Sequence, residues 1–198
     1  MKTIVDLPEG YTGKMKVLLN DFNPVVFNRN LLILLILLLV EDECLAVDIA
    51  LHFWYSVFIP IEYQMQIGAT VVTSALPALL EHRRLSLGSS TLAIDTPNND
   101  WFLYLYRFTT PDDALSMDDA QSAYDRVRLS PSRADLRDQQ YADLRPSHRV
   151  AFQKFRRFGL VLPFGAVNVH FNTPNLSLFS SDGEWLQSDF ADPLDGYE

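Results

Sequence analysis

The stretch KVLLND (Lys16–Asp21), followed by Phe22-Asn23-Pro24 and the apolar run VVFNRNLLILLILLLV (Val25–Val40), decides the fold. A short apolar segment that ends in an acid and leads straight into helix-start chemistry reads as strand, tight turn, helix. Asn23 offers an N-cap oxygen, and Pro24 at the first helical position has its φ preset and no N–H to leave unpaired. From Pro24 to about Leu39 apolar residues occupy too many sides for a surface helix, so most of its circumference must be covered. A helix between a sheet and further helices, in a three-layer α/β domain, meets that demand. The ten residues Leu31–Val40 fall well short of the roughly 20 that cross a bilayer. Asn28-Arg29-Asn30 and Glu41-Asp42-Glu43 bound the run on either side, so it reads as a core helix and no membrane is expected as a partner.

Outward from that core, composition narrows the classes. The chain has 198 residues, 48% hydrophobic, with 16 Lys and Arg against 25 Asp and Glu, a formal charge of -9. That supports one globular domain over 1–198 and disfavours general attraction to nucleic acid or anionic lipid. One cysteine, Cys44, excludes a disulfide framework and a Cys/His zinc site. After Lys2 the residues Asp6, Pro8, Glu9 and Gly10 interrupt any apolar signal region, so the expected location is cytoplasmic. The Asn175-Leu-Ser glycosylation pattern is then idle.

Further elements follow from caps and breakers. Glu41-Asp42-Glu43 opens a second helix that runs to about Phe58, before Pro60. A third, from Ile61 to about Arg84, should kink or split at Pro77. Ser86–Ser90 reads as a loop, and Thr96-Pro97 opens a helix carrying Trp101, Leu105 and Phe108. About 109–145 the chain is highly charged and reads as an exposed helical insertion, with Ser116 and Ser130 as caps. Pro146 opens a helix that Gly159 closes, and Leu160–Phe171 reads as extended chain broken by Pro163 and Gly165.

Few side chains stand out chemically. Asp21, with Asn20, lies where nucleotide-binding α/β domains set an acid on ribose hydroxyls, or the pair simply satisfies backbone donors in a tight turn. The ribose reading needs a glycine-rich phosphate loop, and the residues before Lys16 offer Gly10 and Gly13 without a G-x-G. Asp48, His52 and Tyr55 lie on adjacent turns of the second helix, either as an acid/base pair or as its solvated edge. His148 and His170 lie near Asp182, Glu184 and Asp189 only in sequence. Cys44 reads as an inert buried thiol. Arg145, His148, Arg149, Lys154, Arg156 and Arg157 form the one basic concentration, with Phe152 and Phe155 on a face expected to be buried. Either these cations pair with the chain's own carboxylates or they serve a partner or phosphate.

The blocks NDFNPVVFNRNLLILLILL, LAVDIALHFWYSVFIP and RPSHRVAFQKFRRFGLVLPFGAVNVHFNTPNLSLFSSDGEWLQSDFADPL resemble one family. It is the uncharacterised domain at the N-terminus of axonemal dynein pre-assembly factor three and in many fungal proteins, some with a MYND-type zinc finger. The likeness spans roughly Lys14 to Leu194 and is closest to the fungal branch. It implies a helix-rich α/β fold similar to a Rossmann-like class I methyltransferase domain, with the strand ending at Asp21 as the second strand. Family members start earlier, with an apolar strand and a Gly-Cys-Gly-like turn, and tend to continue past the last residues here. The expectation is therefore a partial or degenerate Rossmann-like domain that lacks its first strand, leaving apolar surface open to water. No catalytic residue, metal, zinc finger or cofactor is expected. The function so implied is a non-catalytic interaction or assembly module with a protein partner. The alternative is an S-adenosylmethionine-dependent methyltransferase domain, or part of one, with Asp21 and Asn20 on the cofactor's ribose.

Overall fold

In the computed structural model the described residues are 8–87, 90–96, 98–110, 115–129, 139, 141–162, 166–180, 182–184 and 186. Helix α1 (Pro24–Leu39) begins as its cap chemistry dictates, with the Asn23 side chain accepting the Val25 N–H at 2.9 Å. Asp42 caps α2 (Glu43–Tyr55) by accepting from the N–H groups of Cys44 and Leu45. After a two-residue strand β1 (Phe58–Ile59), α3 (Ile61–Thr70) runs into a π-helical turn at Val71–Ala75 and then α4 (Leu76–His82). Pro77 explains that turn. It has no N–H for Thr73 and its ring would strike that carbonyl, so the helix widens just before it, with the Leu76 N–H reaching back to Val71 O. The helix therefore bends past the proline without breaking.

A hairpin follows, β2 (Arg84–Leu87) with β3 (Ser90–Ala93), antiparallel with Leu85 opposite Leu92. It takes Ser86, Leu87 and Ser90 out of the loop expected at Ser86–Ser90, whose Gly88 and Ser89 lie outside the described residues. The next helix starts two residues later than Thr96-Pro97 would set it. Asn98 is the cap, accepting from the Asp100 N–H, and a 3-10 turn at Asn99–Phe102 leads into α5 (Leu103–Thr109). Then come α6 (Met117–Arg128), α7 (Pro146–Phe158), and β4 (Thr173–Pro174), which pairs antiparallel with β1 before a 3-10 turn at Leu176–Leu178.

The architecture is helix-rich and mixed α/β. Among the described residues both sheets are two-stranded and antiparallel. Lys16–Asp21, expected as a buried parallel strand, forms no strand, and Val17, Leu18 and Leu19 are 61%, 81% and 57% exposed. A parallel strand needs neighbours on both edges and cover on both faces, and here helices take the place of the sheet. They surround α1: α2, α3, the π turn and α5 pack on it and leave Leu32, Leu35 and Ile36 with no exposed surface. Close approach on α3 is secured at Gly68, where a Cβ would stand 2.9 Å from the Thr109 carbonyl oxygen.

A second, smaller core joins Val57 and Phe58 to Leu160, Leu178, Phe179 and three residues of α6, namely Ala120, Ala123 and Tyr124. Within the range 109–145, read as an exposed insertion, α6 is thus buried on one side and forms one wall of that core. Residues 111–114, 130–138 and 140, including Ser130, lie outside the described set. Helix α7 ends at Gly159, left-handed at φ 65, and an added Cβ there would meet Val57 Cγ2 at 2.4 Å. On α7 it is Phe152 that is buried, whereas Phe155 is only partly so.

The wall formed by α6 makes a direct test. Ala120→Leu should overfill the second core and cost about 1–3 kcal/mol in urea unfolding. Ser122→Ala, on the exposed side of the same helix, should stay within about 0.5 kcal/mol. Equal and negligible effects would show that α6 is a free insertion after all.

Candidate functional site

Helix α2 carries its polar groups toward the junction with the C-terminal segment. His52 Nδ1 lies 2.9 Å from Ser56 Oγ, and Nε2 lies 3.7 Å from Asp48 Oδ1. The other Asp48 oxygen accepts from the hydroxyl of Tyr63 on α3. Ser56 Oγ in turn accepts from the Val161 N–H at 3.3 Å. In the tautomer that faces Nε2–H to the Asp48 carboxylate, Nδ1 accepts from the Ser56 hydroxyl. Burial pushes the imidazole below its ordinary pKa, and the Asp48 charge opposes this. Tyr63 is pushed up to about 12, by burial and then by its bond to Asp48.

Aspartate, histidine and serine at i, i+4 and i+8 supply the residue types of a nucleophilic triad. The geometry does not. Ser56 has no exposed surface, and Phe171 closes on the imidazole edge-to-face at 4.8 Å. A carbonyl carbon has no space near Oγ in this arrangement, and the chain of bonds positions α2. Tyr55, the expected third member, stands apart and stacks on Trp54. Ser56 was visible as the continuation of the same stripe, whereas Tyr63 arrives from another helix and had no signal on α2.

Beside this network sits Asn175, also without exposed surface. Its amide donates to Phe53 O at 2.7 Å and Ser56 O at 2.8 Å, and its oxygen accepts from the Ser177 N–H and hydroxyl. All of its side-chain valences are used. In the folded domain the glycosylation pattern at Asn175 is therefore sealed inside.

Asp21 makes the kind of bond its turn reading calls for. Asp21 Oδ1 accepts the Asn23 N–H at 2.8 Å, one turn-closing bond before the α1 cap, and Asn20 is exposed. Neither stands at the end of a strand. Cys44 is exposed, not buried, because it falls on the open first turn of α2. Among the described residues no group of three His, Cys, Asp or Glu could hold a metal ion, and Asp189 lies outside them. An open cleft of about 530 Å³ between α6 and the C-terminal segment is lined by Asp119, Asp182, Glu184, Arg126, Ser122, Leu115 and Gly183. Its Arg126 and Glu184 make an exposed 3.5 Å ion pair of small energetic weight.

A family model described as a domain of unknown function (DUF4470) matches residues 1–59. The matched part holds α1, α2 and the Asp48, His52 and Ser56 side of the network, while Asn175 and α7 lie beyond it. The chain is thus similar to an uncharacterised domain over that range. No curated protein and no solved structure matches it.

Two measurements check the network. Asn175→Ala leaves two buried carbonyls and the Ser177 donors unpaired, and should cost about 3 kcal/mol or more. Asn175→Asp, which sets an anion against the same carbonyls, should cost no less, and exposed Asn30→Ala should be silent. The pH response tests His52. Its folded-state pKa lies below the unfolded value of 6.5, so the unfolded chain binds the proton first as pH falls. Its contribution is fully present above pH 6.5 and is lost below it, by at most about 1.4 kcal/mol per pH unit. Between pH 7.5 and 5.5, His52→Gln should flatten the loss of stability seen in the parent chain. An identical slope in the two proteins would contradict the burial of a neutral imidazole.

Proposed function

We propose that this chain is a non-catalytic protein-interaction or assembly module acting in the cytoplasm, with Met15–Phe22 as its docking element. One observation carries the reading. Met15, Val17, Leu18, Leu19 and Phe22 are all exposed, Phe22 to 92%, on a segment that forms no helix or strand. A contiguous apolar segment left in water costs free energy and normally marks an interface. The Rossmann-like arrangement belongs to the same proposal, as a fold in which Met15–Phe22 becomes a strand once a neighbouring strand pairs with its free edges. In support of a non-catalytic role, Ser56 and His52 are closed in and Asp21 is committed to a turn.

The test uses the triple substitution Val17→Ser, Leu18→Ser and Phe22→Ser. It should leave the unfolding temperature within about 2 °C, remove binding of a hydrophobic dye, and abolish the protein adduct formed in cells by a photo-crosslinking residue at position 19. Unfolding of the triple variant would show that the segment is core, and absence of any protein adduct in the parent chain would end the reading. A methyltransferase role makes the opposite demand. Binding of S-adenosylmethionine tighter than about 100 µM by calorimetry, lost in Asp21→Ala, would overturn the non-catalytic assignment.

A further inference from the structure

Residues Arg145–Phe158 hold five of the chain's 16 Lys and Arg and none of its 25 Asp and Glu. No carboxylate side chain occurs anywhere from Leu144 to Ser181. Along α7, Arg145, Arg149 and Arg156 fall within about 40° of one another on the helix surface, so they form a single stripe. None of the three, nor Arg157, pairs with a carboxylate among the described residues. Among the described residues these four cations therefore lack the carboxylate partner that pairing with the chain's own surface would supply.

The guanidinium groups are also held in place. Arg149 lies 5.6 Å from the Tyr141 ring centre, and its Nε and an Nη donate to Leu144 O and Ala142 O at 2.8 and 2.7 Å. Arg156 lies 5.6 Å from the ring of buried Phe152, and Arg157 lies 5.2 Å from that of Phe158. For Arg156 and Arg157 stacking occupies the face of the guanidinium and leaves its edge donors for a bidentate acceptor, whereas Arg149, with Nε and one Nη on carbonyls, adds its charge and its remaining donors. Carboxylates match that fork.

We infer that the arginine stripe of α7 docks a short acidic peptide segment of a protein partner. This deepens the interaction reading and rests on it. Arg145 and Arg156 are about 16 Å apart along the axis at 1.5 Å per residue, a span of about five extended residues. A membrane fits less well, because Phe152 is buried and Phe155 half-buried, which leaves only Val150 and Phe158 to reach among lipids. A duplex or an anionic bilayer would also bring its charge against the remaining surface of a chain at -9. A short segment contacts the stripe alone, within about one Debye length.

The experiment follows the fluorescence anisotropy of a labelled Glu/Gly octapeptide titrated with the full chain in 50 mM salt. Its Gln/Gly counterpart, vesicles containing phosphatidylserine, and a single-stranded DNA 20-mer serve as comparison probes. The acidic peptide should bind saturably, the Gln peptide should not, and 300 mM salt should weaken binding at least tenfold. Arg156→Gln with Arg157→Gln should weaken it at least tenfold at an unchanged unfolding temperature, and exposed Arg145→Gln should weaken it about threefold. No saturable binding, equal binding by the arginine variants, or tighter binding to vesicles or DNA would overturn the inference. The Val17, Leu18 and Phe22 triple variant should bind the peptide normally. If the peptide fails while the adduct at position 19 persists, the stripe is wrong and the module reading stands; if the adduct is absent too, both fall.

Discussion

The Asn175 amide holds the last turn of α2 against the C-terminal segment, and much of the second half of the molecule is arranged around that grip. A helix ends with carbonyls that its own backbone cannot satisfy. At the end of α2 the Phe53 and Ser56 carbonyls would be buried without partners, and one side chain more than 100 positions later in sequence supplies both donors. Its own N–H donates to Val57 O, which sets β4 beside β1 and carries Leu178 and Phe179 into the second core. Gly159 closes the same junction from the other side, its carbonyl accepting the Val57 N–H at 2.7 Å. Burial of His52 is a consequence of this closure, because Phe171 and Val161 belong to the strap that Asn175 anchors.

Buried polar groups of this kind give a helical domain its register. Asn28 donates from within α1 to Pro24 O and to Trp101 O, and Gln64 donates from α3 to Phe108 O. Each ties a helix of the first core to the segment around α5. Apolar packing alone around α1, which is leucine-rich on nearly every side, would permit several rotations of similar energy. A side-chain amide that must find a particular carbonyl separates those alternatives, since an unmade bond in that interior costs more than a shifted methyl group.

Local chemistry was readable from the residues and distant pairing was not. Asn23-Pro24, Asp42 and the Pro146 to Gly159 span mark helix ends through contacts within four residues, and those ends stand where cap chemistry puts them. The hairpin at Arg84–Ala93 had its signal in the alternation of Leu85 and Leu87 and of Leu92 and Ile94, but the polar residues between them suggested a loop. In α6 the buried stripe is Ala120, Ala123 and Tyr124, and small residues leave a faint apolar pattern inside a charged stretch. The strand expected at Lys16–Asp21 failed for another reason. A strand is defined by its neighbours, and an apolar run has no secondary structure of its own when helices already cover the face it would use. In the candidate site Asp48 and His52 were visible on one helix face, while Tyr63, Phe171 and Asn175 come from elements that no local spacing connects.

The two features that the fold does not consume differ in physical kind, and the difference bears on how such a module would work. Apolar surface at Met15–Phe22 gains free energy in proportion to the area removed from water and discriminates poorly among apolar partners. The arginine stripe of α7 adds little net affinity wherever water remains, but it sets orientation and rejects partners that bring the wrong charge. Placed on separate parts of the chain, the two would divide affinity from specificity. A partner would have to offer both an apolar segment and a carboxylate-rich one at the right separation to engage them together, and simultaneous engagement raises the effective strength of two individually weak contacts.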